Sequence, residues 1–380
     1  MTFRWIANDR EVEQFVEQAS NEPRYALDTE FHRERTYFPK LALVQFAIAG
    51  EIVLIDPLAC DLSPLKTLFA SDSLAVVHAA QQDLDVLTHA VGSIPRRLYD
   101  TQLAAGFLGY STPSLVSLLQ GELRVTAAKG DRLTDWLRRP LSEDQCSYAA
   151  SDVAHLLLLH DTLMAKLEAE GRTEWVADAC EELRTRPVGG IDPDLAFTKL
   201  KDVRILKPRA RGVARAVAGW RERRAMSIDS PVRQVLPDLA ILGIAQKQPR
   251  TVQELGQARG VDDRHTRGSI AKDILAAVEL GLADEAPPAA AEGDDIDRGL
   301  RPAVTLVSAW VSEVARQQRI DAGLLATRHD LTALLRGDAD ARLASGWRGE
   351  LLGEGIRRLV AGEAALTFDG HGGLNLIDVP

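Results

Sequence analysis

The spacing of apolar and polar positions changes along the first half of the chain. Short β-type runs separated by brief connections come first, and they predict an antiparallel meander. These runs lie at residues 25–31, 41–48 and 52–56. A buried strand at 74–78, a helix at about 81–91 and a short strand at 97–101 are predicted next. A meander followed by alternating helix and strand predicts a mixed sheet with helices against its faces.

A long stretch with helical periodicity follows, over residues 142–171. Ser142 is a favourable N-cap residue, and Gln145 three positions later completes the pattern of a capping box. Gly171 is a favourable residue for ending the helix. We therefore predict that residues 1–200 form one α/β domain.

The second half of the chain has helical periodicity beyond residues 184–194, where Pro and Gly interrupt the pattern. A small bundle is predicted first, with Thr251 and Glu254 forming a capping box in front of one helix. The predicted helices are 210–224, 235–245, 251–259 and 267–282. Residues 285–295 are rich in Pro and Ala, which is typical of a flexible linker.

A second helical unit is predicted over residues 301–361, with helices at 304–319 and 349–359, followed by a Gly-rich tail. A chain of 380 residues is too long for one compact core, which agrees with several domains. The predicted domains are 1–200, 205–285 and 296–380.

The composition limits the class of protein and its compartment. With 46% hydrophobic and 26% charged residues, it is that of an ordinary water-soluble protein. No apolar run approaches the roughly 18 residues of a membrane span, and the first twenty residues lack a secretory apolar core. Cys60, Cys146 and Cys180 are far apart without metal-type spacing, which favours a reducing, cytoplasmic setting.

The net charge of −10 disfavours a polyanionic partner, but the charge is unevenly distributed. Residues 201–250 contain 12 basic and four acidic residues, a local charge of +8. Local patches decide whether a phosphate backbone is attracted. The segment therefore predicts a nucleic-acid contact, although a solvated helix face is an equally good interpretation.

Two acidic residues occupy alternate positions of the first predicted strand. Side chains alternate between the faces of a strand, so Asp28 and Glu30 project to one face and Thr29 to the other. Two carboxylates so placed can flank one cation. An Asp-x-Glu pair is also common on exposed strands, so the pair alone does not establish a site.

A third acid is expected on the helix predicted at about 81–91. The apolar stripe of this helix consists of Ala80, Leu84, Leu87 and Val91. At about 100° per residue, Asp83 lies at the edge of the stripe and Asp85 well outside it. Asp83 is therefore predicted to be partly buried and Asp85 to be on the surface. His78 is a candidate ligand, but a packed, hydrogen-bonded histidine is the preferred interpretation.

Tyr148 and Asp152 are four residues apart and share a helical face. Alone this is a common arrangement, but four hard oxygen ligands without a competing His or Cys cluster favour magnesium or manganese over zinc. Two such cations roughly 3.5–4 Å apart can activate water and stabilise the departing oxygen of a phosphodiester. The sequence thus predicts a metal-dependent phosphodiesterase, with Tyr148 placed to hold the attacking water.

The motifs around these residues resemble those of the DEDD superfamily of 3′-to-5′ exonucleases, in the tyrosine subgroup, and bacterial ribonuclease D within it. The motifs are LDTEF at 27–31, continuing through RERTYFPKLALVQF at 33–46, HAAQQDLDVL at 78–87 and TDWLRRPLSEDQCSYAASDVAHLL at 134–157. WRERRAMSIDSPVRQVLPDLAILGIA at 220–245 resembles the HRDC module, and GWRGELL at 346–352 resembles the ribonuclease D C-terminal region. The resemblance covers nearly the whole chain.

This resemblance implies a ribonuclease H-like catalytic core followed by two all-α HRDC-type domains. It implies that Tyr148 orients the water and that two Mg²⁺ or Mn²⁺ ions are bound per active site. The implied metal ligands are Asp28, Glu30, Asp83 and Asp152. The implied activity is stepwise removal of nucleotides from RNA 3′ ends as 5′-monophosphates, including the trimming of tRNA precursors. Ser151 stands where alanine is usual, a change not expected to disturb metal binding.

Other residues near the motifs are candidate substrate contacts with equally plausible structural roles. The basic candidates Lys129, Arg132, Arg138 and Arg139 lie just before the predicted helix of the third motif, where they suit the RNA backbone or an ordinary surface. Thr29 and Phe31 adjoin the metal-binding pair and are candidate contacts of the terminal nucleotide. Tyr37 and Phe38 suit that role or the core, and Trp136 is better explained by core packing than by base stacking.

Three functions are compatible with the sequence. An RNA 3′ exoribonuclease is favoured. A related DNA exonuclease is the second, because discrimination depends on contacts with the 2′-hydroxyl. The third is a non-catalytic nucleic-acid-binding scaffold dominated by the helical domains, which the presence of all four carboxylates and the tyrosine disfavours.

Overall fold

The computed structural model describes residues 2–126, 134–284 and 299–379. Within these ranges the N-terminal region contains one mixed sheet with the strand order β1-β4-β3-β2-β5-β6. Its strands are β1 Arg4–Ile6, β2 Arg24–His32, β3 Lys40–Ile48, β4 Glu51–Ile55, β5 Leu74–Val77 and β6 Leu98–Asp100. Strands β3 and β4 pair antiparallel, whereas β1 with β4, β2 with β5, and β5 with β6 pair parallel. The predicted mixed sheet is therefore confirmed.

Helices surround this sheet and bury its apolar side chains. They are α1 Asp9–Ser20, α2 Leu65–Ala70, α3 Gln81–Ala90, α4 Thr101–Gly106, α5 Leu115–Leu123, α6 Glu143–Ala154, α7 Leu156–Ala169 and α8 Thr173–Arg184. Phe15 of α1 packs on Phe46 of β3 with ring centroids 4.8 Å apart, and Tyr25 of β2 lies 5.8 Å from Phe46. All three rings are fully buried, so they fix α1 and β2 against the sheet centre.

The helix predicted over 142–171 is wrong as one continuous element. The structure has α6 and α7, separated at His155, whose φ of −115° and ψ of 0° leave the helical region. The break lets each helix bury its own apolar stripe, for example Val153 on α6 and Leu159 on α7. The predicted capping box is confirmed, since Gln145 N–H donates to Ser142 Oγ at 3.2 Å and Ser142 N–H donates to Gln145 Oε1 at 2.8 Å.

The contacts within the molecule define two compact units. One unit contains residues 32–40 and, of the described residues, 189–284. Its helices are α9 Pro208–Ser227, α10 Val232–Val235, α11 Asp238–Lys247, α12 Val252–Gly256 and α13 Gly268–Ala283. The predicted helix 235–245 is interrupted at Pro237, which has no N–H to continue a helix. The capping box of Thr251 and Glu254 is confirmed.

Helices α9 and α13 approach so closely that two glycines are required. A Cβ on Gly212 would lie 2.5 Å from the carbonyl oxygen of Gly281. In the same unit, the segment 32–40 is bound by hydrogen bonds to α9 and to the turn after it. The Tyr37 hydroxyl donates to Glu222 Oε1 at 2.6 Å, and Asp229 Oδ1 accepts from the N–H of Tyr37 and Phe38 at 3.0 and 3.1 Å. Tyr37 and Phe38 therefore have structural partners.

The other unit combines the α/β region with the C-terminal region, of which residues 299–379 are described. The C-terminal elements are α14 Arg301–Gln318, α15 Ala322–Leu325, α16 Arg328–Arg336, α17 Gly346–Val360, and the antiparallel strands β7 Ala364–Phe368 and β8 Leu374–Asp378. The hairpin occupies the stretch predicted as a Gly-rich tail. Trp175 of α8 stacks on Trp347 of α17 with centroids 4.8 Å apart and planes 13° apart. The C-terminal region therefore shares a core with the α/β region.

No helix among the described residues is long and apolar enough to span a membrane. The predicted linker at 285–295 lies outside the described residues. Cys60, Cys146 and Cys180 are free thiols.

Candidate active site

Three carboxylates meet where β2 and α6 come together. Asp28 and Glu30 project from β2, and Asp152 projects from α6. Each residue offers an oxygen that lies within 4.8 Å of the oxygens of the other two, and all three side chains are half-buried. Alternation along the strand and one helix thus bring together three of the four predicted ligands.

The electrostatics of this cluster disfavour negative charge in the absence of a cation. Burial, and then the charge of Asp152, raise the pKa of Asp28 to about 8. Burial, and then the charge of Asp28, raise the pKa of Asp83 well above its usual range. Carboxylates that are crowded and desolvated in this way are typical of a functional site, because a bound cation offsets their repulsion.

Asp83, the fourth predicted ligand, adjoins the cluster from the first turn of α3. It is buried, with 8% of its surface exposed, whereas Asp85 is half-buried. The helical stripe thus identified the more buried acid correctly, although Asp85 is less exposed than predicted. The hydroxyl of Thr29 donates a hydrogen bond to Oδ1 of Asp83. Thr29 was a candidate substrate contact, but its side chain is directed to this carboxylate and is only 5% exposed.

Asp100 holds the start of α3 in place, and the sequence analysis did not identify it. Its carboxylate is 1% exposed and accepts hydrogen bonds from the N–H of Ala79 at 3.1 Å and of Ala80 at 2.9 Å. It also caps α4 by accepting from the N–H of Gln102 at 2.8 Å and of Leu103 at 3.3 Å. An Asp before a helical segment is a capping signal in sequence, but its bonds to residues 20 positions earlier are visible only in the structure.

His78 lies at the end of β5 and packs as the preferred interpretation predicted. Its Nδ1 lies 2.9 Å from the hydroxyl of Thr101, which in turn donates to the carbonyl of Val77 at 2.9 Å. Burial lowers the pKa of His78, which favours the neutral ring. His78 is therefore part of the packing of β5 against α4.

Tyr148 lies on α6, one helical turn before Asp152, and is half-buried. Its ring lies 6.1 Å from that of Trp136, centroid to centroid, and Trp136 is buried, with 5% exposed. The core role of Trp136 is thus confirmed. The Ser151 hydroxyl donates to the carbonyl of Tyr148 at 2.7 Å, so it is engaged within α6.

Arg139 has a structural role that the sequence did not indicate. Its Nε donates to Asp56 Oδ2 at 2.7 Å and its Nη2 to Asp56 Oδ1 at 2.6 Å. The same guanidinium donates to the carbonyls of Ala42 at 2.6 Å and Trp136 at 2.8 Å. Arg139 therefore fastens the segment before α6 to the sheet, which argues against its candidate role as a substrate contact.

The remaining substrate candidates are only partly described. Arg138 is exposed, and Phe31 is half-buried against the core of the α/β region. Lys129 and Arg132 lie outside the described residues.

The donor set fits a hard divalent cation. All the side chains that converge here offer carboxylate oxygens, which Mg²⁺ and Mn²⁺ prefer. Among the described residues, no other group of His, Cys, Asp and Glu has a comparable arrangement. The cluster of Asp28, Glu30 and Asp152, with Asp83 beside it, is therefore the candidate active site.

Comparisons with known proteins agree with this geometry. Residues 3–168 match the family described as 3′-5′ exonuclease, and residues 210–278 match the HRDC domain. Ribonuclease D of Gluconacetobacter diazotrophicus is 35% identical over 375 residues, covering 96% of this chain and 94% of that protein. Ribonuclease D of a Jannaschia species is 36% identical over 378 residues, covering 96% and 97%.

A crystal structure of Escherichia coli RNase D, described as an exoribonuclease involved in structured RNA processing, superposes with a TM-score of 0.86. It is 32% identical and covers 95% of this chain and 99% of that chain. The predicted exonuclease core, followed by a helical region with an HRDC domain, is confirmed. The assignment of residues 296–380 as a second HRDC-like domain stays a prediction.

Proposed function

Because the chain belongs to the ribonuclease D family and is a 3′-5′ exoribonuclease, we propose a location for its hydrolytic centre. The proposed centre is the carboxylate cluster around Asp28. Membership of this family selects the exoribonuclease among the three functions that the sequence allows. The observation that supports the location is the convergence of Asp28, Glu30 and Asp152 within 4.8 Å.

In this proposal the centre binds two divalent cations, Mg²⁺ or Mn²⁺. The proposed ligands are Asp28, Glu30, Asp83 and Asp152. Bound cations would lower the pKa of a coordinated water and stabilise charge on the departing oxygen of the phosphodiester. The raised pKa values of Asp28 and Asp83 support the proposal, because crowded carboxylates gain most from a compensating positive charge.

Tyr148 is proposed to orient the attacking water through its hydroxyl. It shares the helical face of Asp152 and is half-buried, with one side of its ring against the buried Trp136. An unperturbed tyrosine has a pKa of about 10, so it serves as a hydrogen-bonding group rather than as a base at neutral pH. The released product is proposed to be a nucleoside 5′-monophosphate.

RNA is the substrate class, and we propose tRNA precursors or other structured RNA with 3′ tails as the natural substrates. The description of the E. coli relative as an enzyme of structured RNA processing supports this choice. The cytoplasm is the proposed compartment, which the three free cysteines support.

The basic segment 201–250 is proposed to help bind this RNA, but its residues are not equivalent. Arg221 is 4% exposed and pairs with Asp238, so it belongs to the fold. Arg209 and Arg250 are exposed and, together with Lys272 of α13, line one groove of about 880 Å³. Because they share this groove, these three cations are proposed as phosphate contacts.

Cleavage of a tRNA precursor with a 3′ tail tests the proposed substrate. The full chain should shorten the tail in the presence of magnesium, and EDTA should stop this cleavage. A matched DNA strand should be degraded much less. Equal degradation of the DNA strand would argue for the DNA exonuclease instead. Cleavage of the tailed precursor no faster than of unstructured RNA would remove the support for structured substrates.

A further inference from the structure

Thr29 lies between the two acidic residues of β2, and its side chain has a contact of its own. Its hydroxyl donates to Oδ1 of Asp83, which links β2 to the first turn of α3. Both partners are buried, with 5% of Thr29 and 8% of Asp83 exposed. A hydrogen bond to a carboxylate in such surroundings is among the stronger ones in proteins, because little water competes for the donor.

A threonine hydroxyl has one proton to donate. Since that proton is given to Asp83, it is not available to a nucleotide, and the low exposure of Thr29 also disfavours a substrate contact. The neighbouring residues Asp28 and Glu30 are in the cluster itself. One short stretch of β2 therefore offers two carboxylates as candidate metal ligands. The hydroxyl between them donates a hydrogen bond to a third carboxylate.

We propose that Thr29 is a positioning residue that orients the Asp83 carboxylate for cation binding. This inference rests on the proposed function, since it takes Asp83 to be a metal ligand. Asp83 is at the start of a helix, with two side-chain torsions that must be fixed before its oxygens can meet a cation. Asp100 fixes the backbone of this turn, and Thr29 fixes the side chain.

The substitution Thr29→Val tests this role because it removes the hydroxyl while keeping the β-branched shape that a strand favours. Thr29→Ser retains the hydroxyl. Loss of a group that orients a metal ligand typically weakens metal binding about 10- to 100-fold. We expect that loss for Thr29→Val, and near-normal binding for Thr29→Ser, when Mn²⁺ is titrated into the full chain by calorimetry without RNA.

Thr88→Val is a matched control on the same helix, because its hydroxyl donates to the carbonyl of Leu84 at 2.7 Å. Thr88→Val should bind Mn²⁺ as the unsubstituted chain does. In a cycle with Asp83→Asn, the effect of Thr29→Val should disappear, since no ligand remains for Thr29 to orient. In RNA cleavage, Thr29→Val should raise the Mn²⁺ concentration needed for half-maximal rate and leave the KM for RNA unchanged.

Normal Mn²⁺ affinity in Thr29→Val would overturn the inference, as would equal weakening in Thr29→Ser, which would point to packing rather than the hydroxyl. If Thr29→Val does not fold, the Thr29→Ser and Thr29→Ala pair decides, with only the alanine expected to bind Mn²⁺ weakly. A different result tests the proposed function. Unchanged cleavage by Asp28→Asn would reject the hydrolytic centre. If Asp28→Asn is inactive but Thr29→Val binds Mn²⁺ normally, only the role of Thr29 is rejected.

Discussion

The Asp28 carboxyl illustrates how a candidate metal ligand can lower the stability of the metal-free fold. It is desolvated, it lies near Asp152, and both effects raise its pKa to about 8. In the unfolded chain the same carboxyl has a pKa near 4. Between about pH 4 and pH 8 the metal-free folded chain therefore holds a proton that the unfolded chain has released.

This difference predicts how the stability of the metal-free protein changes with pH. Because the folded state binds more protons over that range, the contribution of Asp28 becomes more unfavourable as pH rises, by up to about 1.4 kcal/mol per pH unit. Asp28→Asn cannot titrate, so its stability advantage over the unsubstituted chain should grow between about pH 5 and pH 8. Urea unfolding in EDTA measures this. An advantage that is constant or shrinks with rising pH would contradict the assigned pKa shift.

The sequence predicted which acidic residues lie close together better than the contacts that hold them in place. Alternation along a strand placed Asp28 and Glu30 on one face, and the apolar stripe of α3 distinguished Asp83 from Asp85. The bond from Thr29 to Asp83 joins residues 54 positions apart and is therefore invisible to local pattern. Arg139 was expected at the surface for the same reason, because its partner Asp56 is 83 positions away.

Asp100 connects two secondary-structure elements, because its carboxylate holds the starts of α3 and α4 together. It accepts from two N–H groups before α3 and from two in the first turn of α4. Ala79 adopts a φ of 59° in this turn, a conformation that is costly for a residue with a side chain. The hydrogen bonds from Ala79 and Ala80 to Asp100 offset that cost and fix where α3 begins.

Removal of this acceptor should therefore destabilise the fold. Loss of one side-chain cap typically costs about 1 kcal/mol, and a buried carboxylate serving two helices should cost about 2–4 kcal/mol when replaced in Asp100→Ala. Asp72→Ala is the matched control, since the Asp72 side chain is 85% exposed and pairs with the exposed Arg96. Urea unfolding gives the free energies. An Asp100→Ala chain as stable as Asp72→Ala would show that the turn does not depend on this carboxylate.

Element boundaries depend on packing that the sequence does not display. Helix α1 was not predicted, although Asn8 caps it and Val12, Phe15, Val16 and Ala19 form its buried stripe. The unbroken leucines at 156–159 gave no sign of the break at His155. The hairpin β7–β8 has Asp369, Gly370, Gly372 and Gly373 between its strands, turn residues that were interpreted as part of a Gly-rich tail. Capping boxes, which depend on residues three apart, were predicted correctly at Ser142 and Thr251.

Within the whole molecule, ion pairs join the C-terminal region to the α/β region. Glu182 of α8 accepts from Arg342 at 2.6 Å and from Arg348 at 2.7 Å. Arg348 is 3% exposed and lies 4.1 Å from the ring centroid of Trp347, and burial lowers its pKa to about 10. The buried Arg348 depends on this carboxylate for charge compensation, whereas the half-buried Arg342 also pairs with Asp330 at 3.3 Å.

Glu182→Gln should therefore lower the free energy of unfolding of this unit by roughly 2–3 kcal/mol. The loss is smaller than that expected on breaking a fully buried ion pair, because the Glu182 side chain is 34% exposed. Glu181→Gln is the matched control, because the adjacent Glu181 is more than half exposed and pairs with Arg184 three residues along α8. That control should change the free energy of unfolding by less than about 1 kcal/mol. Equal effects of the two substitutions would show that Arg348 does not depend on Glu182.

The groove lined by Arg209, Arg250 and Lys272 gives a prediction about RNA binding. Replacing the three cations by glutamate should weaken RNA binding and reduce its salt dependence by about two to three counterions, since each phosphate contact releases about one. Glutamate at Arg267, Arg301 and Arg358 is a comparison of equal charge outside the lining of this groove. Binding isotherms at several salt concentrations measure both quantities. An unchanged salt slope in the groove variant would leave these residues as a solvated surface.

We propose that the carboxylates from β2 and α6 form the hydrolytic centre of this 3′-5′ exoribonuclease, and rapid-quench cleavage of 5′-labelled RNA measures their contribution to the rate. With magnesium, the unsubstituted chain should give a ladder that shortens from the 3′ end. Asp152→Asn should lower the rate at least about 100-fold while RNA binding persists, because a metal ligand is lost. Asp144→Asn, an exposed acid on the same helix, should cleave normally. Cleavage by Asp152→Asn at the rate of Asp144→Asn would show that Asp152 takes no part in hydrolysis.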